Sequence, residues 1–228
     1  MVGAASATPA YDTSLASPGF YAGSGNPNSG FTVNTQGGVE LGLGVHYRYG
    51  ASVSPSPTTG NVYTVMDGGQ PCYSTTCALW NVDFSVNLQA GSNTGLHLSD
   101  ITASMTVTDV GTSSSVSFDP LALFPDDYGW NGGPTDNTAA NNLSTDWGFQ
   151  NSENLAFFFP GFDPNKADTY NIALSVSSKA GTSLGSVSET INAVPEPGTL
   201  PLFAAGLGLL GMLGWWTKRK NVRASAAA

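Results

Sequence analysis

Strict two-residue alternation of apolar and polar side chains runs through most of this 228-residue chain, and it leaves few architectures open. Val39, Leu41, Leu43, Val45, Tyr47 and Tyr49 alternate with Glu40, Gly42, Gly44, His46 and Arg48. Trp80, Val82, Phe84, Val86 and Leu88 alternate with Asn81, Asp83, Ser85, Asn87 and Gln89. Ile101, Ala103, Met105 and Val107 repeat the pattern, as do Ile172, Leu174 and Val176. Successive side chains of a strand point to opposite faces, so this spacing predicts antiparallel strands with one face buried and one in water. Further strands are expected at Phe31–Thr35, Asn61–Met66, Ser114–Phe118, Leu155–Phe159 and Leu184–Ile191, separated by Gly-, Pro- and Asn-rich turns. No long stretch of residues 1–193 carries apolar residues at i, i+3 and i+4. The expectation is an all-β fold: about nine short strands in an antiparallel β-sandwich of jelly-roll or immunoglobulin-like topology over residues 8–193.

Charge excludes one class of partner. Residues 1–193 hold three bases (Arg48, Lys166, Lys179) against fifteen acids. So acidic a body repels phosphate backbones, and nucleic acid is not an expected partner. Cys72 and Cys77 lie five apart, unlike a Cys-x-x-Cys redox pair, and zinc would need two more ligands. A small loop-closing disulfide is expected, as in an oxidising compartment, with free loop thiols the alternative.

The longest connection, Asp119 to Asn154, is both acidic and aromatic. Asp126, Asp127 and Asp136 with backbone carbonyls suit a weak calcium site, although such residues also simply form turns. Tyr128, Trp130 and Trp147 beside them form either a glycan platform or a plug closing one end of the sandwich. Paired carboxylates from Asp119, Asp126, Asp127, Asp136 and Asp146 would be the raw material of a glycosidase. No Gly-x-Ser-x-Gly elbow, His-Glu-x-x-His or phosphate-binding loop occurs, and the only histidines, His46 and His97, fall in separate strand contexts. The expectation is a non-enzymatic protein with no required cofactor.

The two ends carry targeting information. Ala5-Ser6-Ala7 has the small-x-small look of a signal peptidase site, so residues 1–7 read as the remnant of a longer signal peptide, with signal peptidase as a partner if the true start lies upstream. At the other end, Leu200 to Trp216 is a seventeen-residue run without charge. As a helix it spans about 26 Å, slightly short of the roughly 30 Å hydrocarbon core. Trp215 and Trp216 suit the aromatic belt, and Lys218, Arg219, Lys220 and Arg223 follow as a basic stop cluster, orienting the tail to the cytoplasm and the body outward. Just before the run, Pro195 and Pro197 hold Val194-Pro-Glu-Pro-Gly198 extended and block a helix there. Glu196 places an anion between them, and the segment reads as a stiff linker, a recognition mark, or both.

Val-Pro-Glu-Pro, an apolar run with Gly206, Gly208, Gly211 and Gly214, and then Lys-Arg-Lys resemble the PEP-CTERM sorting domain of Gram-negative bacteria. The resemblance covers residues 194–223: motif 194–198, transmembrane helix 200–216 and basic cluster 218–223. It implies exosortase, a membrane-embedded transpeptidase-like enzyme, as partner, with cleavage near Pro195–Pro197. It further implies transient residence in the inner membrane, delivery to the cell surface or matrix, and association with exopolysaccharide. On that basis the body is expected to be structural or adhesive in a biofilm, with a carbohydrate-binding module as the alternative. Gly25-Asn-Pro-Asn28, Val39-Glu-Leu-Gly42 and Phe162-Asp-Pro-Asn165 also resemble the outer domains of such proteins, which implies shared architecture and no particular activity.

Overall fold

The computed structural model describes residues 8–22, 29–49, 55–124, 127–131, 138–140, 142–195 and 212. Contacts divide the chain into two units, Met1–Val194 and Pro195–Ala228. The strands, in chain order, are β1 (Ala10–Thr13), β2 (Phe31–Gln36), β3 (Val39–Tyr47), β4 (Val62–Met66), β5 (Gly69–Cys72), β6 (Thr75–Ala78) and β7 (Trp80–Asn87). They continue as β8 (Ile101–Asp109), β9 (Ser115–Phe118), β10 (Tyr128–Trp130), β11 (Thr138–Ala139), β12 (Gly148–Glu153), β13 (Asp168–Ser178) and β14 (Ser183–Val194). One seven-stranded sheet has the order β1-β2-β3-β7-β12-β10-β11, and a five-stranded sheet has the order β4-β14-β13-β8-β9. Strands β5 and β6 form a separate hairpin. All ladders are antiparallel except β4–β14, which is parallel.

The alternating apolar residues of both sheets meet in one core. Leu41, Leu43 and Val45 of β3 and Val82, Phe84 and Val86 of β7 join Met105, Val107, Ile172, Leu174, Val187 and Ile191 from the second sheet. Burial of each such side chain is worth about 1.5–3 kcal/mol. Polar bridges fix the two sheets at the rim of this core. Asn34 Nδ2 donates to the Ser186 carbonyl at 2.6 Å, and the Met66 amide donates to the Tyr47 hydroxyl at 2.7 Å.

In the five-stranded sheet the expected pattern holds: β8 and β13 bury one face and expose the other. In the larger sheet it does not. Strands β3 and β7 are buried on both faces. The covering layer is the N-terminal segment 14–22, whose Leu15, Phe20 and Ala22 pack with Phe31 and Val33 as a second apolar cluster. The polar residues beneath are held by this segment's backbone. Glu40 accepts the Ala16 amide at 3.0 and 3.1 Å, Asn87 Nδ2 donates to the Ser17 carbonyl at 3.3 Å, and Gln150 donates to the Gly19 carbonyl while accepting the Tyr21 amide at 3.0 Å. Buried polar groups are tolerated because they are paired in this way.

Two further expectations need correction. Leu155–Phe159 is not a strand; Leu155–Phe157 is a 3-10 turn capped by Asn154, whose Oδ1 accepts the Ala156 amide. The same side chain accepts the Ala78 amide at 3.0 Å and donates to the Trp80 carbonyl at 2.8 Å, tying the turn to β6 and β7. Nor is Asp119–Asn154 a plain connection, because it supplies β10, β11 and β12, of which β12 pairs along β7 from Gly148 to Glu153. Where β10 crosses β12, a Cβ on Gly148 would overlap the fully buried Trp130 indole. Gly148→Ala is therefore expected to cost about 1–3 kcal/mol through overpacking, read as a lower denaturation midpoint at unchanged m-value.

Among the described residues no helix is long and apolar enough to cross a membrane. The expected helix over 200–216, the signal remnant 1–7, Glu196, Pro197, Gly198, the basic residues Lys218, Arg219, Lys220 and Arg223, and the loop residues Asp126 and Asp136 lie outside the described residues, Met212 of the helix excepted.

Candidate functional site

The sorting segment starts where the fold stops. Val194 is the last residue of β14 and pairs in register with Met66 of β4, and its carbonyl accepts the Asp67 amide at 2.8 Å. Ala193, one residue earlier, still lies in the core. Val194 is exposed, and Pro195 after it is the first residue outside the sheet. Proline lacks the amide that would extend the β14 ladder, so strand pairing has a chemical reason to stop there.

The residues expected to form a ligand loop are placed differently from one another. Asp127 is buried, with Oδ1 accepting from Asn151 Nδ2 at 2.6 Å. Trp130 is fully buried, edge-on to Tyr21 (5.9 Å between centroids) and to Trp147 (5.9 Å). Trp147 donates its indole N–H to the Asn131 carbonyl at 2.8 Å. Trp130 is thus spent on packing, with the half-buried Trp147 against its edge. Tyr128 lines a concave surface. Among the described residues no group of three or more His, Cys, Asp or Glu is placed to hold a metal ion.

That concave surface is a cleft of about 650 Å³, lined by residues from five separate parts of the chain: Arg48, Tyr73, Leu123, Tyr128, Glu153 and Phe157 among them. Tyr73 sits at the tip of the β5–β6 hairpin, which a Cys72–Cys77 disulfide closes. It is 95% exposed. Its ring lies 6.1 Å from that of Phe157, at 60°.

Sequence reasoning missed two buried ionisable groups. His46, which alternation assigns to the water-facing side of its strand, is fully buried, with Nδ1 at 2.7 and 2.8 Å from the two carboxylate oxygens of Asp83. Burial pushes the Asp83 carboxyl up, opposed by its bonds to His46 and Ser152. Ser152 bonds to Asp83 and not to the imidazole, so the three residues do not form a nucleophile–base pair. Glu189 lies in β14 between Val187 and Ile191, fully buried, with neither carboxylate oxygen hydrogen-bonded. Desolvation first, and then the charge of Asp83, holds it well above its ordinary range.

A β-sheet domain whose last strand runs straight into a proline-marked terminal segment defines a class: a folded body carrying a C-terminal address. Residues 193–220 match the model of the PEP-CTERM protein-sorting motif. The match begins at Ala193, inside β14, and leaves the rest of the body outside it. The motif indicates sorting by exosortase to the cell surface. No curated protein and no solved structure matches the chain.

Proposed function

We propose that this protein is a non-enzymatic structural or adhesive component of a biofilm or exopolysaccharide matrix, delivered by exosortase. Residues 200–216 hold it in the inner membrane as a single-pass intermediate with Lys218, Arg219, Lys220 and Arg223 on the cytoplasmic side. Exosortase then cleaves near Pro195–Pro197, and the β-domain passes to the surface. The observation that carries this reading is the sorting motif placed directly after the final core strand. A body rich in paired polar and apolar burial, with an acidic surface, suits an extracellular scaffold. The reading assigns no catalytic residue and no cofactor; calcium at the Asp119–Asn154 region would draw on Asp126 and Asp136.

The test is processing in the producing organism. Changing Pro195, Glu196 and Pro197 together to Ala, or deleting the exosortase gene, is expected to leave nearly all of the chain as a longer, membrane-retained form, read by immunoblot of membrane and surface fractions. Normal release of a shortened form in either strain would overturn the sorting route. Unchanged matrix mass and cohesion in a strain lacking the protein would overturn the adhesive role.

A further inference from the structure

We infer that the cleft bearing Tyr73 and Phe157 is a binding site for a neutral polysaccharide, with hexopyranose rings stacked on this aromatic pair. The inference rests on the adhesive reading above and names its ligand. Three of the eight large hydrophobic side chains exposed among the described residues, Tyr73, Leu123 and Phe157, line this one cleft. Exposed aromatic area gathered around a concave surface marks a contact site.

The platform is held in place from both sides. Tyr73 has a φ of 46°, in the left-handed region that side chains other than glycine rarely adopt, within a turn pinned by the Cys72–Cys77 disulfide. Phe157 belongs to the 3-10 turn that Asn154 fixes to β6 and β7. The backbone beneath both rings is thereby fixed, which limits the freedom lost on binding to side-chain rotation. At 60° to one another, they present a bent surface to the C–H faces of a sugar.

Polar groups stand where a sugar's hydroxyls would fall. Arg48, Tyr128 and Glu153 line the same cleft, and an amphipathic ring needs both kinds of surface. Charge decides between polysaccharide classes. Arg48 is one of only three bases in residues 1–193 and shares the cleft with Glu153, within a body of fifteen acids. An anionic polymer would be repelled at long range and gains one cation at most, so a neutral chain is favoured.

Affinity electrophoresis of the full-length chain tests this, in a detergent without sugar head groups such as an amine oxide. Gels are cast with a soluble glucan, mannan, galactan or alginate. Retardation is expected in at least one neutral gel and not in alginate. Tyr73→Ala and Phe157→Ala should each weaken it by roughly tenfold or more, while Tyr11→Ala, an exposed aromatic in β1, should not. Tyr73→Ala should reach the surface normally, so a failure here is distinct from a failure of sorting. Four results would each overturn the assignment: no retardation in any gel, retardation indifferent to both substitutions, retardation confined to alginate, or a dimer in sedimentation velocity that Tyr73→Ala dissociates. The last would make the occupant a second copy of the chain.

Discussion

Asp83→Leu is expected to destabilise the domain by about 3–5 kcal/mol. The substitution leaves His46 Nδ1 without its acceptor, in a place with no solvent exposure. It also takes a bond from Ser152, which is itself buried. A buried pair is weak evidence of net stabilisation, yet breaking it strands the survivor. Removing both partners tests that distinction: His46→Leu with Asp83→Leu should recover much of what the single change loses. Urea denaturation of the four proteins gives the coupling energy directly. A single substitution costing under about 1 kcal/mol would show that the imidazole finds water or another acceptor.

Glu189→Gln is expected to act in the opposite direction and to stabilise the protein. The carboxyl faces the core between Val187 and Ile191 with no hydrogen-bond partner, so it takes its proton when the chain folds. Above the ordinary value of 4.5, the folded state then binds more protons than the unfolded one. Stability from this group is complete below that pH and is lost as pH rises toward the raised folded value. The loss has a slope of up to about 1.4 kcal/mol per pH unit. Gln carries no proton to lose. The two proteins should therefore have similar midpoints near pH 4 and separate progressively to pH 8, with the variant the more stable. Parallel curves across that range would mean that Glu189 is ionised in the fold.

The two predictions concern residues whose roles the sequence hides, and the reason is the same for both. Alternation assigns a residue to a face, but it does not say what covers that face. His46, Asp83, Ser85 and Gln150 occupy positions that look solvent-facing, yet all four are buried, and Gln150 is bonded to the backbone of segment 14–22, far away in sequence. Glu189 sits on the apolar side of β14, where a carboxylate is costly and local spacing offers no warning of it. Strands β8 and β13 were legible because their apolar residues alternate cleanly. Strand β12 was not, since Phe149 is the only large apolar residue in Gly148–Glu153. The run Leu155–Phe159 misled in the other direction: it is apolar enough for a strand, but the Asn154 cap turns it into a 3-10 turn.

The candidate sites divide along the same line. The sorting motif is one continuous stretch, residues 193–220, so all of its information is local, and the residues alone pointed to it. The cleft joins Arg48, Tyr73, Tyr128 and Phe157 from four separate segments, brought together by the β5–β6 hairpin, β10 and the turn after β12. Spacing along the chain carries no trace of that meeting. The aromatic residues that did stand out, Trp130 and Trp147, are largely spent on packing against each other.

The position of β14 bears on how the domain carries mechanical load. It lies inside its sheet, with a ladder to β13 running from Asp168–Ala193 to Ser177–Ser183 on one side and five residue pairs to β4 on the other. A pull transmitted through the chain beyond Val194 enters along the axis of this strand. An edge strand pulled sideways can peel one hydrogen bond at a time, whereas β14 must slide against two neighbours and drag Val187 and Ile191 out of the core together. The point where the sorting segment joins the body is thus also a tough handle, and force-spectroscopy traces pulled from this end should show a single high rupture without early steps.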